Sequence, residues 1–289
     1  LVFMGDSVTR GMAHQTIRWL DGGKWSPRWG ASPELLKTLL VKANHSAVLL
    51  PFTLSGMYSK PARGMLNLPQ FLDSMKKQME EAVPRCSRGI FVFGIGSWDL
   101  VFSEENDRVG VFHSRQLDTL RQVTRLAGRL CSGKVDFFVR NSFFSYDPKK
   151  KEHPWLARFN EAQAQLYETL LQESKEGVPS ERTETREPFP ENVELHYLDA
   201  FALSVPRKTE MPLKLLDTDG LHWQCVNIEK KGQMVDLCNR QLALPDQRPD
   251  EVSWASMQVV FADVCAREKQ AAAAAAAAAR CTVEPGLVV

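Results

Sequence analysis

The chain has 289 residues, 44% of them hydrophobic and 25% charged, with 36 Lys and Arg set against 35 Asp and Glu. These proportions suit a globular protein that buries a sizeable core, and a formal net charge of +1 lacks the basic excess of a dedicated nucleic-acid binder. No apolar run reaches the roughly 20 residues of a membrane helix, so no membrane contact is expected within this segment.

The first predicted element is a buried strand at Leu1 to Met4, ending in the corner Gly5-Asp6-Ser7 and followed by a helix over 8–20. Because the chain opens inside a core strand, residues are expected ahead of Leu1, with room there for a signal peptide or membrane anchor. Asn44-His45-Ser46 fits a glycosylation sequon and gives a weak vote for the secretory pathway. A second strand, Ala47 to Thr53, leads into Leu54-Ser55-Gly56-Met57. Phe71, Met75, Met79 and Ala82 then recur at helical spacing.

A third strand, Ile90 to Phe93, precedes Gly94-Ile95-Gly96-Ser97-Trp98-Asp99, and a second stripe follows at Leu117, Leu120, Val123, Ala127 and Leu130. The fourth strand, Val135 to Val139, ends at Arg140-Asn141. Lys149 to Lys151 reads as a solvated basic loop. Trp155, Phe159, Ala162, Leu166 and Leu170 form a third stripe. A polar, Pro-containing surface loop over 177–191 precedes a fifth strand, Val193 to Leu198.

A helix beginning near Glu251 is extended by nine alanines, 271–279, since alanine is the best helix former. The division expected is therefore one main domain over 1–269, then a poly-Ala extension and loose tail over 270–289. Six cysteines are present, with no Cys-x-x-Cys, so no zinc site is expected. Scattered cysteines of this kind are ordinarily buried thiols, and Cys225 with Cys238 is a pair that a secreted protein could bridge.

Strands alternating with helices indicate a mainly parallel sheet of five strands covered on both faces, whose ligands bind beyond the C-terminal strand ends. Every polar candidate follows such an end. Ser7 stands where a helix N-terminus stabilises developing negative charge. Serine is a weak nucleophile without a base, and the base needs an orienting partner. Asp219-Gly220-Leu221-His222 supplies both, with Asp217 as a competing orienter. His14, His45, His113, His153 and His196 lack comparable context; His196 reads as a packed or surface side chain in a strand. Alone, each motif is a common turn, Gly-Asp-Ser a strand-to-helix corner and Asp-Gly a loop. Together they are the parts of a serine acyl-transfer site.

Gly5-Asp6-Ser7-Val8-Thr9-Arg10 resembles the first block of the SGNH/GDSL hydrolase superfamily, in the Gly-Asp-Ser-x-x-Arg form of its PC-esterase branch. That branch includes the trichome-birefringence-like polysaccharide O-acetyltransferases and the sialate O-acetyltransferases. Gly96-Ser97-Trp98-Asp99-Leu100 is similar to its Trp-containing block, Phe138-Val139-Arg140-Asn141-Ser142 to its Arg-containing strand end, and Asp219-Gly220-Leu221-His222-Trp223 to its closing block. The resemblance spans about Leu1 to Leu244.

It implies a three-layer α/β/α sandwich and favours a Golgi or secretory setting, with the cytoplasm as the alternative. By motif it makes Ser7 the nucleophile, His222 the base and Asp219 its orienter. The oxyanion hole would be the backbone N–H groups of Ser7 and Gly56, with Gly64 as the fallback. Arg10 would pair with Asp6 or Asp99 to hold the corner, and Gly96, Ser97, Trp98, Asp99, Arg140 and Asn141 would support the site or the substrate. No cofactor is implied. The partners implied are an acylated small molecule or glycan.

One departure stands out: the superfamily places an oxyanion-donating asparagine after the third strand, and Gly94 to Asp99 contains none. Ser97, a backbone N–H or Asn141 are the replacements to consider. The rival reading is a weak or inactive carbohydrate-binding or interaction module on the same fold. A flavodoxin-like cofactor binder ranks far lower, because no Gly-rich phosphate loop of standard spacing is present.

Overall fold

The computed structural model describes residues 1–5, 9, 12–13, 16, 38–42, 45–51, 68–82, 86–94, 108–144, 156–176, 188–206, 227–230, 233–236 and 251–281. Its main sheet is built from β1 (Val2–Gly5), β2 (Thr38–Lys42), β3 (His45–Pro51), β4 (Gly89–Gly94), β5 (Val135–Arg140) and β6 (Val193–Leu198), in the order β2-β3-β1-β4-β5-β6. The pairs β3–β1, β1–β4, β4–β5 and β5–β6 are parallel; β2 joins β3 antiparallel at the edge. A separate antiparallel ribbon pairs β7 (Asn227–Lys230) with β8 (Gln233–Asp236). The helices are α1 (Leu68–Ala82), α2 (Arg108–Leu130), α3 (Leu156–Glu176), α4 (Ala200–Ser204) and α5 (Glu251–Cys281). Thr9, Met12, Ala13 and Thr16, after β1, are also helical.

The α/β class and the mainly parallel sheet agree with the sequence reading. The five strands read from apolar runs correspond to β1, β3, β4, β5 and β6, within a sheet of six. The addition is β2, and its signal was faint. Only Ala43-Asn44 separates the paired residues Lys42 and His45, and Lys231-Gly232 likewise separates Lys230 from Gln233. Two-residue connections of this kind are hairpin spacers.

Central parallel strands are covered on both faces, so they read as unbroken apolar runs. Val2, Phe3, Met4, Phe91, Val92, Phe93, Phe137, Phe138 and Val139 are all buried. The helical stripes dock as their spacing requires: Leu120, Val123 and Ala127 of α2 and Leu166 and Leu170 of α3 are buried. Side chains of β6 alternate in direction. Leu195 and Tyr197 meet α3, where the Tyr167 hydroxyl donates to the Leu195 carbonyl at 3.2 Å and the Tyr167 and Tyr197 rings lie 5.3 Å apart. Glu194 and His196 instead meet Arg267 of α5. Met257, Val260 and Val264, three and four residues apart from one another ahead of Arg267, are the buried stripe of α5. The alanine run lies within this helix, and Ala271 to Ala274 are exposed.

The expectation of buried free thiols fails at Cys86 and Cys131. They form a disulfide with a Cα–Cα distance of 4.5 Å where the chain enters β4 and β5. The two residues also form an isolated bridge, and Ser132 N donates to Cys86 O at 2.8 Å. Their 45-residue separation hid the pair, because connectivity cannot be read from spacing alone. Cys225 and Cys238 lie outside the described residues; Cys265 is a free, exposed cysteine on α5. No helix among the described residues is long and apolar enough to cross a membrane.

Candidate functional site

Strand register builds the C-terminal edge. Gly5, last in β1, pairs with Gly94, last in β4. Phe93 pairs with Val139, which brings Arg140, last in β5, beside Gly94. Two adjacent glycines leave a trough in the sheet face, and the Arg140 side chain fills it. A Cβ placed on Gly94 would fall 2.4 Å from Arg140 Nε and Nη2. Gly5 has a φ of +152°, and a Cβ there would meet the Gly94 carbonyl oxygen at 1.9 Å. Both positions therefore require glycine for close approach.

Arg140 is 1% exposed, and a buried guanidinium needs hydrogen bonds to offset its lost hydration. Its Nη2 donates to Thr9 Oγ1 at 3.0 Å and its Nη1 to the Asn141 carbonyl at 2.8 Å. The guanidinium carbon sits 4.8 Å from the centre of the Phe143 ring, a cation–π distance. The Thr9 hydroxyl donates in turn to the Gly94 carbonyl at 2.7 Å. One buried network thus ties the segment after β1 to the ends of β4 and β5.

Asn141, also buried, faces β6 and α4. Its Nδ2 donates to Asp199 Oδ1 at 2.8 Å, and its Oδ1 accepts from Phe201 N at 2.9 Å. Asp199 caps α4 by accepting from Ala202 N. Burial and the Asp199 charge push the nearby Tyr197 hydroxyl up to about 12, against a lowering hydrogen bond from Asn141. The Asn141 amide is committed to this corner, which weakens its case as the replacement oxyanion donor.

Ser7, Arg10, Gly56, Gly64, Gly96, Ser97, Trp98, Asp99, Asp217, Asp219 and His222 lie outside the described residues. Of the candidates, Arg140 and Asn141 are described, and they stand at the edge where parallel α/β sheets bind ligands. Arg140 closes β5 itself, one residue later than the apolar run suggested. Thr9 and Asp199 escaped the sequence reading. Thr9 lies between Ser7 and Arg10, and a single threonine there offers no sequence signal of its own. Asp199 did offer one, as a cap three residues before Ala202.

A second polar cluster lies on β5 and β6 toward the other end of β5. Asp136 is wholly buried, and its carboxylate meets Arg88 at 3.0 Å and Arg267 at 2.8 Å. Burial pushes this carboxyl up, but the contacts with His196 and Arg88 and the charges of Arg267 and Lys134 outweigh it. The group is held well below the usual carboxylate range. Asp136, Glu194 and His196 offer three metal-ligand atoms within 4.8 Å of one another. Arg267 Nη1 stands among them, 2.8, 3.0 and 2.7 Å from the three, and also reaches Asp263 through Nη2. The positive charge those ligands call for is supplied by the protein itself. His196 Nε2 lies between Arg267 Nη1 at 2.7 Å and Asp136 Oδ1 at 3.4 Å. This cluster fastens α5 to the sheet.

Compared with known protein families, curated proteins and solved structures, the chain finds no match.

Proposed function

We propose that the chain is a serine-dependent acyl-ester hydrolase or O-acyltransferase of the SGNH type, on a three-layer α/β/α sandwich. Ser7 attacks an ester carbonyl, commonly acetyl. His222 takes the hydroxyl proton, Asp219 orients the imidazole, and the Ser7 and Gly56 N–H groups stabilise the oxyanion. The ester's C–O bond breaks, the alcohol departs with the proton held by His222, and an acyl-Ser7 ester remains; water or an acceptor hydroxyl, deprotonated by His222, then attacks that ester and the serine leaves with its proton restored. By resemblance to the PC-esterase branch, the substrate or acceptor is a carbohydrate. The Cys86–Cys131 disulfide favours an oxidising compartment, in keeping with a secretory setting.

One observation carries the reading. Gly5 and Thr9, the residues that bracket Ser7 in sequence at two positions either side, are both held at the C-terminal sheet edge beside Arg140. That is the edge where this chemistry is housed in parallel α/β folds.

The test is labelling with a fluorophosphonate probe together with turnover of p-nitrophenyl acetate. Labelling is expected in the wild-type protein and absent in Ser7→Ala and His222→Ala. Equal labelling of all three proteins, or of none, sinks the reading.

A second reading, a binding module without turnover, is favoured by one specific feature. The stretch after β4 lacks an asparagine, and the amide of Asn141 is engaged by Asp199 and Phe201. Loss of an oxyanion donor costs roughly a hundredfold or more in rate. Failure of labelling alongside retained glycan binding would decide for this alternative.

A further inference from the structure

We infer that Thr9 and Arg140 act as a positioning pair for Ser7, an inference that rests on the acyl-transfer reading. Gly5 and Thr9, the described residues on either side of Ser7, are both anchored to Gly94. Ahead of Ser7, Gly5 is locked to Gly94 by strand pairing. Beyond Ser7, the Thr9 hydroxyl is locked to the same Gly94 through its carbonyl. Arg140 then closes the arrangement from β5 by donating to Thr9 Oγ1.

Thr9 is wholly buried and Arg140 nearly so, so neither side chain is placed to meet a substrate directly. A sequence needing only a stable core could fill this trough with apolar groups at lower desolvation cost. What the buried guanidinium adds is direction. Its planar fork fixes the Thr9 oxygen from one side while the Gly94 carbonyl fixes it from the other. Three strand ends are thereby brought into one register beside Gly5 and Thr9, which flank Ser7. A nucleophile displaced by about 1 Å can lose on the order of a hundredfold in rate. The pair therefore acts on the chemical step through the placement of Ser7.

The experiment compares Thr9→Ser, Thr9→Val, Arg140→Lys and Arg140→Met with wild type, by kcat and KM on p-nitrophenyl acetate, fluorophosphonate labelling rate and melting temperature. Thr9→Ser keeps the hydroxyl and loses only the methyl. It is expected to melt earlier yet stay within about threefold of the wild-type kcat. Thr9→Val keeps the volume and loses the hydroxyl, and its kcat is expected to fall roughly tenfold to a hundredfold with KM nearly unchanged. Combining Thr9→Val with Arg140→Met is expected to be little worse than the worse single change, because both remove one connection.

The pair is overturned if activity simply follows melting temperature across the set, or if Thr9→Val labels at the wild-type rate. Should Thr9→Val fail to fold, Thr9→Ser against Arg140→Lys still decides. Serine restores the hydroxyl, whereas lysine lacks the fork and must lower kcat. A wild-type protein that takes no label defeats the acyl-transfer reading itself and the positioning role with it. A labelled wild type with unaffected variants defeats the positioning role alone.

Discussion

Arg140 and Thr9 are 131 positions apart in the chain, yet the guanidinium Nη2 of one donates to the hydroxyl of the other at 3.0 Å. The bond exists because Gly94 between them has no side chain. Gly94→Ala would set a methyl 2.4 Å from Arg140 Nε and Nη2, inside a network where both strand backbones are fixed by their ladders. The guanidinium must withdraw or β4 must shift. Overpacking of a close-packed interior typically costs 1–3 kcal/mol, so we expect Gly94→Ala to lower the denaturation midpoint by an amount equivalent to about 2 kcal/mol. A midpoint equal to wild type would show that the arginine does not occupy the trough.

The Cys86–Cys131 disulfide closes a loop across a 45-residue separation that contains β4 and α2. In the chain-entropy model such a closure stabilises the fold by about 4 kcal/mol. The Cys86→Ser/Cys131→Ser double variant should therefore melt well below wild type, and reductant should bring the wild type down to the variant. Peptide mapping under non-reducing conditions should recover the two cysteines as one cross-linked peptide. Recovery of both as free thiols from protein folded in an oxidising medium would refute the pairing.

How far this was legible follows from where each signal resides. Buried parallel strands announce themselves as apolar runs, so Val2 to Met4 and Phe91 to Phe93 could be placed from sequence, and with them the sheet edge beside which Arg140 and Asn141 stand. Edge strand β2 pairs on one side only, and its sequence, Thr38-Leu39-Leu40-Val41-Lys42, is as compatible with a short helix as with a strand. Asp136 is the one charged residue within the fourth run, Val135 to Val139. Burying it requires Arg88, Lys134 and Arg267, the last of them 131 residues away, and no local pattern encodes that. Thr9 was hidden for the same reason, its partners lying 85 and 131 residues distant.

Asp136 makes acid stability predictable in sign. Its carboxyl is lowered in the folded protein, relative to about 3.9 in an unfolded chain. The folded state therefore binds its proton less readily than the unfolded state. The stabilisation is fully present above the unfolded pKa and drains away as pH falls from there through the folded value. Chemical denaturation should show little contribution from this residue to pH dependence between pH 7 and pH 5, then a loss below about pH 4. Asp136→Asn removes that acidic slope. It also strips a buried counter-charge from Arg88 and Arg267, so it should lower stability at neutral pH by about 3–5 kcal/mol. An unchanged acidic slope in the variant would assign acid sensitivity to other carboxylates.

Asn141 separates a structural amide from a catalytic one. Its Nδ2 is taken by Asp199 and its Oδ1 by Phe201 N, so Asn141→Ala leaves Asp199 and a part-buried N–H without this partner. We expect a loss of about 1–3 kcal/mol in stability. The acylation rate should change only a few-fold, because an amide already donating to a carboxylate is poorly placed to donate to a developing oxyanion. A donor in the oxyanion hole behaves oppositely, giving roughly a hundredfold or greater loss in kcat with melting hardly altered. Measuring both quantities on one preparation of Asn141→Ala distinguishes the two roles. The first outcome directs the search for the missing donor to Ser97 or to backbone N–H groups after β4; the second would make Asn141 that donor and require its amide to leave Asp199 when substrate binds.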